Sequence, residues 1–305
     1  MKETTTLQGQ NLPARQAVLD RLAGEPSVEK QTSSWSYFTR NRLALGSLIF
    51  LALMILAAIA APLVTAYDPN AISYDLLARP NSDHLLGTDD VGRDVLSRLV
   101  FASRISLSAG FLAALLTTFL GTFVGALAGY YGGAPDSLIS GVINVILALP
   151  LLPLAMVLGS FLETDLTFIV LILGGLLWTG VARIIRAEFL SLKQREFVEA
   201  ARAIGASDAR IILQHILPNT LGLITVSATL TMATAILAES ALSYLGFGIQ
   251  PPTASWGNML QNAQRFFRVY PELAIMPGLL ISITVICINF VGDGLRDAWD
   301  PRMRN

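Results

Sequence analysis

The polar stretch REFVEAARAIG, at residues 195–205, and the segment HILPN, at residues 215–219, interrupt a chain that is otherwise rich in long apolar segments. Ser191 and Gln194 precede this stretch with the Ser-x-x-Gln spacing of a capping box, which predicts the start of a helix there. Phe197, Ala201 and Ile204 recur at helical spacing and predict one apolar face.

The same stretch contains signals for a turn and for a second helix. Gly205 stands where many helices end in a residue of left-handed conformation. Ser207 or Asp208 can cap a following helix, and Pro218 limits where that helix ends. The stretch therefore predicts two short helices joined by a sharp turn.

The composition is that of an integral membrane protein. Of the 305 residues, 53% are hydrophobic and 14% are charged, whereas about 25% of the residues in a soluble domain are charged. A net charge of −1 gives no reason to expect a nucleic-acid partner. The single cysteine, Cys287, excludes a disulfide framework and a cysteine-based metal site. Residues 1–40 lack the apolar core of a cleavable signal peptide.

Six apolar segments are predicted to cross the bilayer, which takes about 20 residues of helix, and the chain is thus all-α and polytopic. The predicted spans are residues 43–67, 105–131, 137–161, 166–182, 220–245 and 273–292. They divide the chain into a tail (1–42), a first span (43–67), an extracytoplasmic segment (68–104), a core of spans two to six (105–292) with a loop at 187–219, and a second tail (293–305). Pro150 and Pro153 predict a kink in the third span, which is tolerated beside a pore or cavity.

The basic residues predict the orientation. With a cytoplasmic N-terminus, most of the 21 lysines and arginines lie in the two tails and in the loop at 187–219, as the positive-inside rule requires. The exceptions are Arg79, Arg93, Arg98, Arg104, Arg265 and Arg268. Both termini and the loop are therefore predicted to be cytoplasmic.

The sequence contains no recognisable catalytic constellation. His84 and His215 fall on opposite sides of the predicted membrane and cannot share a metal ion. A G-x-x-x-x-G-K-[ST] phosphate loop is missing, so the chain cannot hydrolyse a nucleotide alone. Asp68 and Asp293 only faintly resemble the pair of an intramembrane aspartyl protease, because Asp68 ends its span and Asp293 lacks the G-x-G-D order.

A secondary transporter is the more serious alternative. Such proteins usually bury ionisable residues near the middle of the membrane to couple ions to their substrate. The predicted spans offer Glu239 and the polar residues Asn144 and Asn289. Glu239 lies near the outer end of the fifth span, where it either bonds to a neighbouring span or contacts a substrate. None of this resembles an ion-coupling site, so the driving energy is expected from a partner.

The polar stretch resembles the EAA loop of ABC importer permeases through EAA at 199–201, Gly205 and Leu217-Pro218. His215 takes the place of an isoleucine in the general pattern, and HILPN is similar to the peptide/nickel branch of the family. The resemblance implies a coupling helix that docks on an ATPase subunit, and a self-contained surface hairpin is the alternative. The coupling residues so implied are Glu199, Ala200, Ala201, Arg202, Gly205, His215, Leu217 and Pro218.

Three other stretches resemble the C-type permease subunit of dipeptide and oligopeptide importers, from about Arg40 to the end of the chain. They are LGTDDVGRDVLSR (86–98) with RISL (104–107), LSYLGFG (242–248) with QPP (250–252) and SWG (255–257), and GDGLRD (292–297) with DPR (300–302). The resemblance implies a type I importer permease fold in a bacterial inner membrane. It also implies a B-type permease partner in a heterodimer, two ATPase subunits that bind ATP and Mg, and an extracytoplasmic peptide-binding protein. No cofactor is expected in this chain.

The expected function is that of a non-catalytic permease subunit that forms half of the path for di- or oligopeptides. Nickel chelates and glutathione-like compounds are alternative substrates within the family. Candidates for the pathway or gate are Asn144, Pro150, Pro153 and Glu239. Candidates for the receptor side are Arg93, Asp94 and Trp256. The alternative is that Arg93 and Asp94 cap an interfacial helix before the second span and that Trp256 belongs to a rigid loop. The segment from Asp293 to Pro301 is either a helix stop with an Arg–Asp pair or a direct ATPase contact.

Overall fold

The computed structural model describes residues 41–161 and 165–299, and the regular elements within them are helices. Five helices are long and apolar enough to cross a membrane, and a bent pair provides a sixth span if it is counted as one. The all-α, polytopic prediction is therefore confirmed. Residues 1–40 of the predicted tail and the DPR motif at 300–302 lie outside the described residues. In chain order the helices are α1 (Arg42–Ile59), α2 (Ala61–Val64), α3 (Val95–Tyr131), α4 (Gly133–Ala148), α5 (Leu151–Ser160), α6 (Leu166–Leu192), α7 (Glu196–Ala203), α8 (Asp208–Arg210), α9 (Leu217–Tyr244), α10 (Trp256–Ala263) and α11 (Glu272–Trp299).

The third predicted span is broken between α4 and α5, which meet at an angle of 85°. Leu149 has an extended backbone, because the ring of Pro150 excludes the helical conformation from the residue before it. Pro153 lies in the first turn of α5, where a missing N–H costs no helical hydrogen bond. The predicted kink is thus confirmed, and its position is set by Pro150.

α3 and α6 are parallel helices that touch backbone to backbone along a row of glycines on α3. A Cβ added to Gly121 would lie 2.6 Å from the Cβ of Val181, and one added to Gly125 would lie 2.5 Å from the carbonyl oxygen of Ala182. One turn further, Gly129 has the same close approach to α6. Small residues allow this contact in a lipid environment, where helices associate through close packing. The loop that follows α6 therefore begins on a tightly packed pair of helices.

The second helix of the polar stretch is not short, and the prediction that Pro218 limits it is wrong. A single helical path runs from Asp208 to Tyr244 through α8, a π-helical segment (Ile211–Ile216) and α9. Inside an α-helix, a proline ring collides with the carbonyl group one turn earlier. The π-helical segment ends just before Pro218, with Leu217 N–H donating to the carbonyl oxygen of Ile212, and this wider turn accommodates the proline.

Several helices extend beyond the spans predicted from hydropathy, among them α3, α6 and α11. α6 continues past residue 182 to Leu192, and α11 continues past Gly292 to Trp299, which lies within the segment from Asp293 to Pro301. Hydropathy reports which residues suit lipid, whereas a helix can continue into water until its caps end it. Ser191 consequently lies inside α6, and the capping box predicted from Ser191 and Gln194 is wrong. The first residue before α7 is Arg195, which provides no side-chain cap.

Candidate functional site: the loop between α6 and α9

α7 lies beyond the apolar spans and packs on the ends of its neighbours through one narrow face. Val198 and Ala201 are buried, in a cluster that includes Phe189 of α6 and Ile211 of the π-helical segment. Of the three residues of the predicted apolar face, Ala201 is buried, whereas Phe197 is 41% exposed and Ile204 is 86% exposed. Val198 and Ala201 make the contact with the rest of the chain, and the larger side chains of Phe197 and Ile204 are exposed.

The turn after α7 is a Schellman motif, as the glycine position predicted. Gly205 has φ +82°, and its N–H donates to the carbonyl oxygen of Arg202 at 3.0 Å. The N–H of Ala206 donates to the carbonyl oxygen of Ala201 at 3.1 Å. These two bonds satisfy the last carbonyl groups of α7 and fix the direction in which the chain leaves it. The left-handed conformation predicted for Gly205 is confirmed.

The outward face of α7 combines a carboxylate with apolar surface. Glu199, Ala200 and Arg202 are exposed, and so are Phe197 and Ile204. Among the described residues, none of the salt bridges includes Glu199. An isolated helix of eight residues is not stable in water, and the side chains of this face contribute little buried apolar area within the chain. The face is suited to contact another protein chain.

His215, Leu217 and Pro218 lie at the junction of the loop and α9 rather than on the outward face of α7. Leu217 packs against the same cluster as Val198, and the carbonyl oxygen of His215 accepts a hydrogen bond from the side-chain amide of Asn219 at 2.6 Å. The structure therefore divides the predicted coupling residues into an exposed set on α7, the buried Ala201, and a supporting set at the start of α9.

Polar contacts on both sides of α7 tie the loop to the end of α3. The hydroxyl group of Tyr130 donates to Asp208 at 2.5 Å, and the ammonium group of Lys193 donates to the carbonyl oxygen of Tyr130. Sequence reasoning named Asp208 only as a possible helix cap and assigned no contact to Tyr130 or Lys193. A tyrosine at the end of an apolar span is common, and only the tertiary structure shows which loop residues reach it.

The candidate pathway residues fall into two environments. Asn144, Pro150 and Pro153 are exposed on α4 and α5, and Asn144 accepts a hydrogen bond from Arg183 at 3.2 Å. Glu239 has no exposed surface and lies between α9 and α3. Glu239 therefore does not line an open path in this conformation.

Two of the three candidate receptor-side residues are buried, and the prediction is wrong for them. Trp256 is 0% exposed, and its indole N–H donates to the carbonyl oxygen of Leu99 at 3.4 Å. Asp94 is buried and accepts from the N–H of Ser97 at 2.7 Å, so capping is confirmed, although the capped helix is α3 itself rather than a separate interfacial helix before it. Arg93 pairs with Asp89 at 2.7 Å and is partly exposed; its contact with a receptor stays a prediction. Within residues 41–161 and 165–299, no three His, Cys, Asp or Glu side chains are placed to hold a metal ion.

Comparison with known proteins gives matches along nearly the whole chain. Residues 121–305 match the family model "Binding-protein-dependent transport system inner membrane component", and residues 32–81 match "N-terminal TM domain of oligopeptide transport permease C". Glutathione transport system permease protein GsiD of Shigella boydii serotype 4 (strain Sb227) is 39% identical over 295 residues, which cover 95% of this chain and 97% of that protein. The protein of the same name from Escherichia coli O6:K15:H31 (strain 536 / UPEC) is 40% identical over 272 residues, covering 88% and 90%.

A solved structure shows the same fold at low sequence identity. An inward-facing conformation of the MetNI methionine ABC transporter (CY5 native crystal form) superposes with a TM-score of 0.56 at 21% identity. The superposition covers 67% of this chain and 97% of that one. The helical arrangement is therefore that of an ABC importer permease.

Proposed function

The chain belongs to the family of binding-protein-dependent transport system inner membrane components, as a multi-pass permease subunit of an ABC importer, and we propose that its cargo is a short peptide. The match of residues 32–81 to the N-terminal domain of an oligopeptide permease supports this cargo class. Relatives at 39% identity named as glutathione permeases favour glutathione, itself a tripeptide, as the second candidate.

We propose that α7 couples this subunit to an ATPase, and the exposed face of α7 is the observation that carries the proposal. Ile204 and Phe197 expose apolar surface on a helix that lies beyond the spans, where contiguous apolar surface marks a protein contact. Glu199 adds an exposed carboxylate on the same helix. Hydrolysis of ATP, with its Mg, then takes place on the two partner ATPases, and this chain supplies no catalytic residue.

Movement of a docked α7 would reach three long helices. α6 and α9 flank the loop in the chain, and Tyr130 connects it to α3 through Asp208 and Lys193. Because α3 and α6 are packed backbone to backbone, they would respond as one body. This arrangement supports a rigid-body transmission from the ATPases to the pathway.

The remaining partners in the proposal are a B-type permease, completing the pathway as a heterodimer, and an extracytoplasmic peptide-binding protein. In the proposed orientation both termini and α7 are cytoplasmic, and the loop between α9 and α11 faces the binding protein.

The cargo is tested by uptake into vesicles that contain the complete complex, with ATP on the side of the ATPases and the ion gradients collapsed. We expect ATP-dependent uptake of labelled di- and tripeptides that requires the binding protein. Uptake of glutathione alone would establish the second candidate. Uptake that stops with the ion gradients and continues without the ATPases would contradict an ABC importer and indicate a secondary transporter.

Reversing the charge of Glu199 tests the docking surface. We expect Glu199→Lys to lower the affinity for the ATPase subunits by about tenfold or more, because like charges at an interface cost several kcal/mol. The measurement is co-purification of the ATPases at increasing dilution. Asp83→Lys makes the same change at an exposed position near the opposite end of the bundle and should leave co-purification unchanged. Undiminished co-purification with Glu199→Lys would rule out this contact.

A further inference from the structure

Glu239 is a fully buried carboxylate on α9 that accepts hydrogen bonds from serines of two helices. Ser243, one turn later on α9, donates to Oε1 at 2.7 Å, and Ser106 of α3 donates to Oε2 at 3.2 Å. Ser240 lies 3.4 Å from Oε2, a longer contact. A polar group buried to this degree needs such partners, since an unpaired one costs free energy. The carboxylate therefore joins α3 to α9 near the end of the bundle opposite α7.

The two serines also receive backbone hydrogen bonds from one segment of the loop after α9. The N–H of Ile249 donates to Oγ of Ser243 at 3.1 Å, and the N–H of Trp256 donates to Oγ of Ser106 at 3.2 Å. A backbone N–H can only donate. Each serine oxygen therefore accepts from the backbone, and its own hydroxyl group donates a hydrogen bond to Glu239. Two chains of hydrogen bonds, called relays below, thus start at the two ends of the far-end segment (residues 249–256). One relay ends on each oxygen of the Glu239 carboxylate.

The far-end segment is internally rigid and lies directly against α9. The side-chain amide of Asn258 donates to the carbonyl oxygens of Ile249 and Thr253, at 3.1 and 2.7 Å. A Cβ added to Gly257, the residue directly after the segment, would lie 2.5 Å from the carbonyl oxygen of Ser240, which leaves no space between the start of α10 and α9. A segment held in this way can follow α9 only if the relays to Glu239 remain intact.

We propose that Glu239 is a positioning residue for transport, which fixes the far-end segment to α3 and α9 and makes this end of the bundle move with α9. α9 begins at the loop that carries α7, so the relays extend the path of movement from the proposed ATPase contact to the opposite end. This role rests on the proposed transport function. It assigns Glu239 neither to ion coupling nor to cargo binding.

A glutamine at this position breaks one relay at nearly constant volume. The amide oxygen can accept from one serine, but the amide nitrogen only donates, so the other serine loses the acceptor for its hydrogen. Ser240→Ala is the matched control, because Ser240 is buried beside the same carboxylate. Among the described contacts, its hydroxyl oxygen accepts no hydrogen bond from a backbone N–H. The comparison separates the relays from general packing around Glu239.

The position of the segment is measured by the reaction of a cysteine at residue 254 with a water-soluble maleimide. Ala254 is buried, and Cys287→Ala removes the single native thiol. In the assembled complex carrying Ala254→Cys, we expect Glu239→Gln to raise the labelling rate about tenfold, since a lost buried hydrogen bond favours local opening. We expect Ser240→Ala to leave the rate unchanged.

The same variants, without the added cysteine, are measured for uptake. We expect Glu239→Gln to lower the maximal rate about tenfold with an unchanged KM, because a residue that acts through position does not bind cargo. We expect Ser240→Ala to transport normally.

Unchanged labelling of the Glu239→Gln complex overturns the proposal, and so does raised labelling with normal uptake. If Glu239→Gln does not assemble, Ser106→Ala and Ser243→Ala each remove one relay and are judged by the same readings. A wild-type complex without uptake refutes the proposed function, whereas labelling still decides whether the relays hold the segment.

Discussion

A Gly205→Val variant is expected to reach the membrane and to lose nearly all uptake. Gly205 has φ +82°, a conformation that costs an L-residue about 1–2 kcal/mol and a β-branched residue more. A Cβ at this position meets no atom within 4 Å, so the cost comes from the backbone alone. The strain falls on the Schellman bonds that set the direction of the chain after α7. We expect α7 to change its orientation while the helical bundle stays folded.

Uptake, ATPase co-purification and the amount of protein in the membrane are measured together. Gly205→Asn is the control, because asparagine tolerates the left-handed conformation and also occurs at this place in helix ends. We expect the asparagine variant to retain most of the uptake. The valine variant should be present in the membrane in a normal amount but should lose uptake and co-purification of the ATPases. Wild-type uptake by Gly205→Val would show that the geometry of this turn is not needed.

Features that depend on neighbouring residues were predictable from the sequence. The glycine turn after α7 and the break before Pro150 follow from the conformations open to single residues, and both are present. The apolar spans follow from the requirement that lipid-facing backbone be helical. The lengths of α6 and α11 did not follow, because a hydropathy pattern ends with the lipid and these helices continue beyond it.

The side of α7 that meets the body could not be derived from its pattern. Phe197, Ala201 and Ile204 recur at helical spacing and were therefore assigned to one apolar face, but the spacing does not say whether the chain itself or a partner covers that face. In a subunit of an assembly, the larger apolar residues can instead serve a partner that the single sequence does not contain. The small buried residues allow α7 to lie close to α6 and the π-helical segment.

Residues that act through distant partners were beyond sequence reasoning. Glu239 was recognisable as an unusual charge in a span, but its partner Ser106 is 133 positions away in the chain. Trp256 was assigned to the receptor side or to a rigid loop, and only the fold shows that it is buried beside α3. The sequence thus identified where unusual chemistry occurs, and the tertiary contacts determined what it does.

A Gly125→Leu variant is expected to fail at folding rather than at coupling. The first added atom would lie 2.5 Å from the carbonyl oxygen of Ala182 and 3.1 Å from the Cβ of Ile185. Overpacking of a core costs about 1–3 kcal/mol when side chains can adjust, but here the obstacle is backbone. Relief requires α3 and α6 to separate along the whole glycine row. We expect little protein in the membrane and a markedly lower thermal midpoint of whatever is purified.

Gly175→Leu distinguishes this packing effect from the general effect of a larger residue in a span. Gly175 lies on α6, and a Cβ there meets no atom within 4 Å, so leucine adds only apolar surface and improves the helix propensity. We expect wild-type yield and thermal midpoint for this control, measured on the same membranes. Equal values for the two leucine variants would contradict a backbone contact between α3 and α6. A folding loss confined to Gly125→Leu, set beside a coupling loss confined to Gly205→Val, would separate the rigid pair of helices from the loop that it carries.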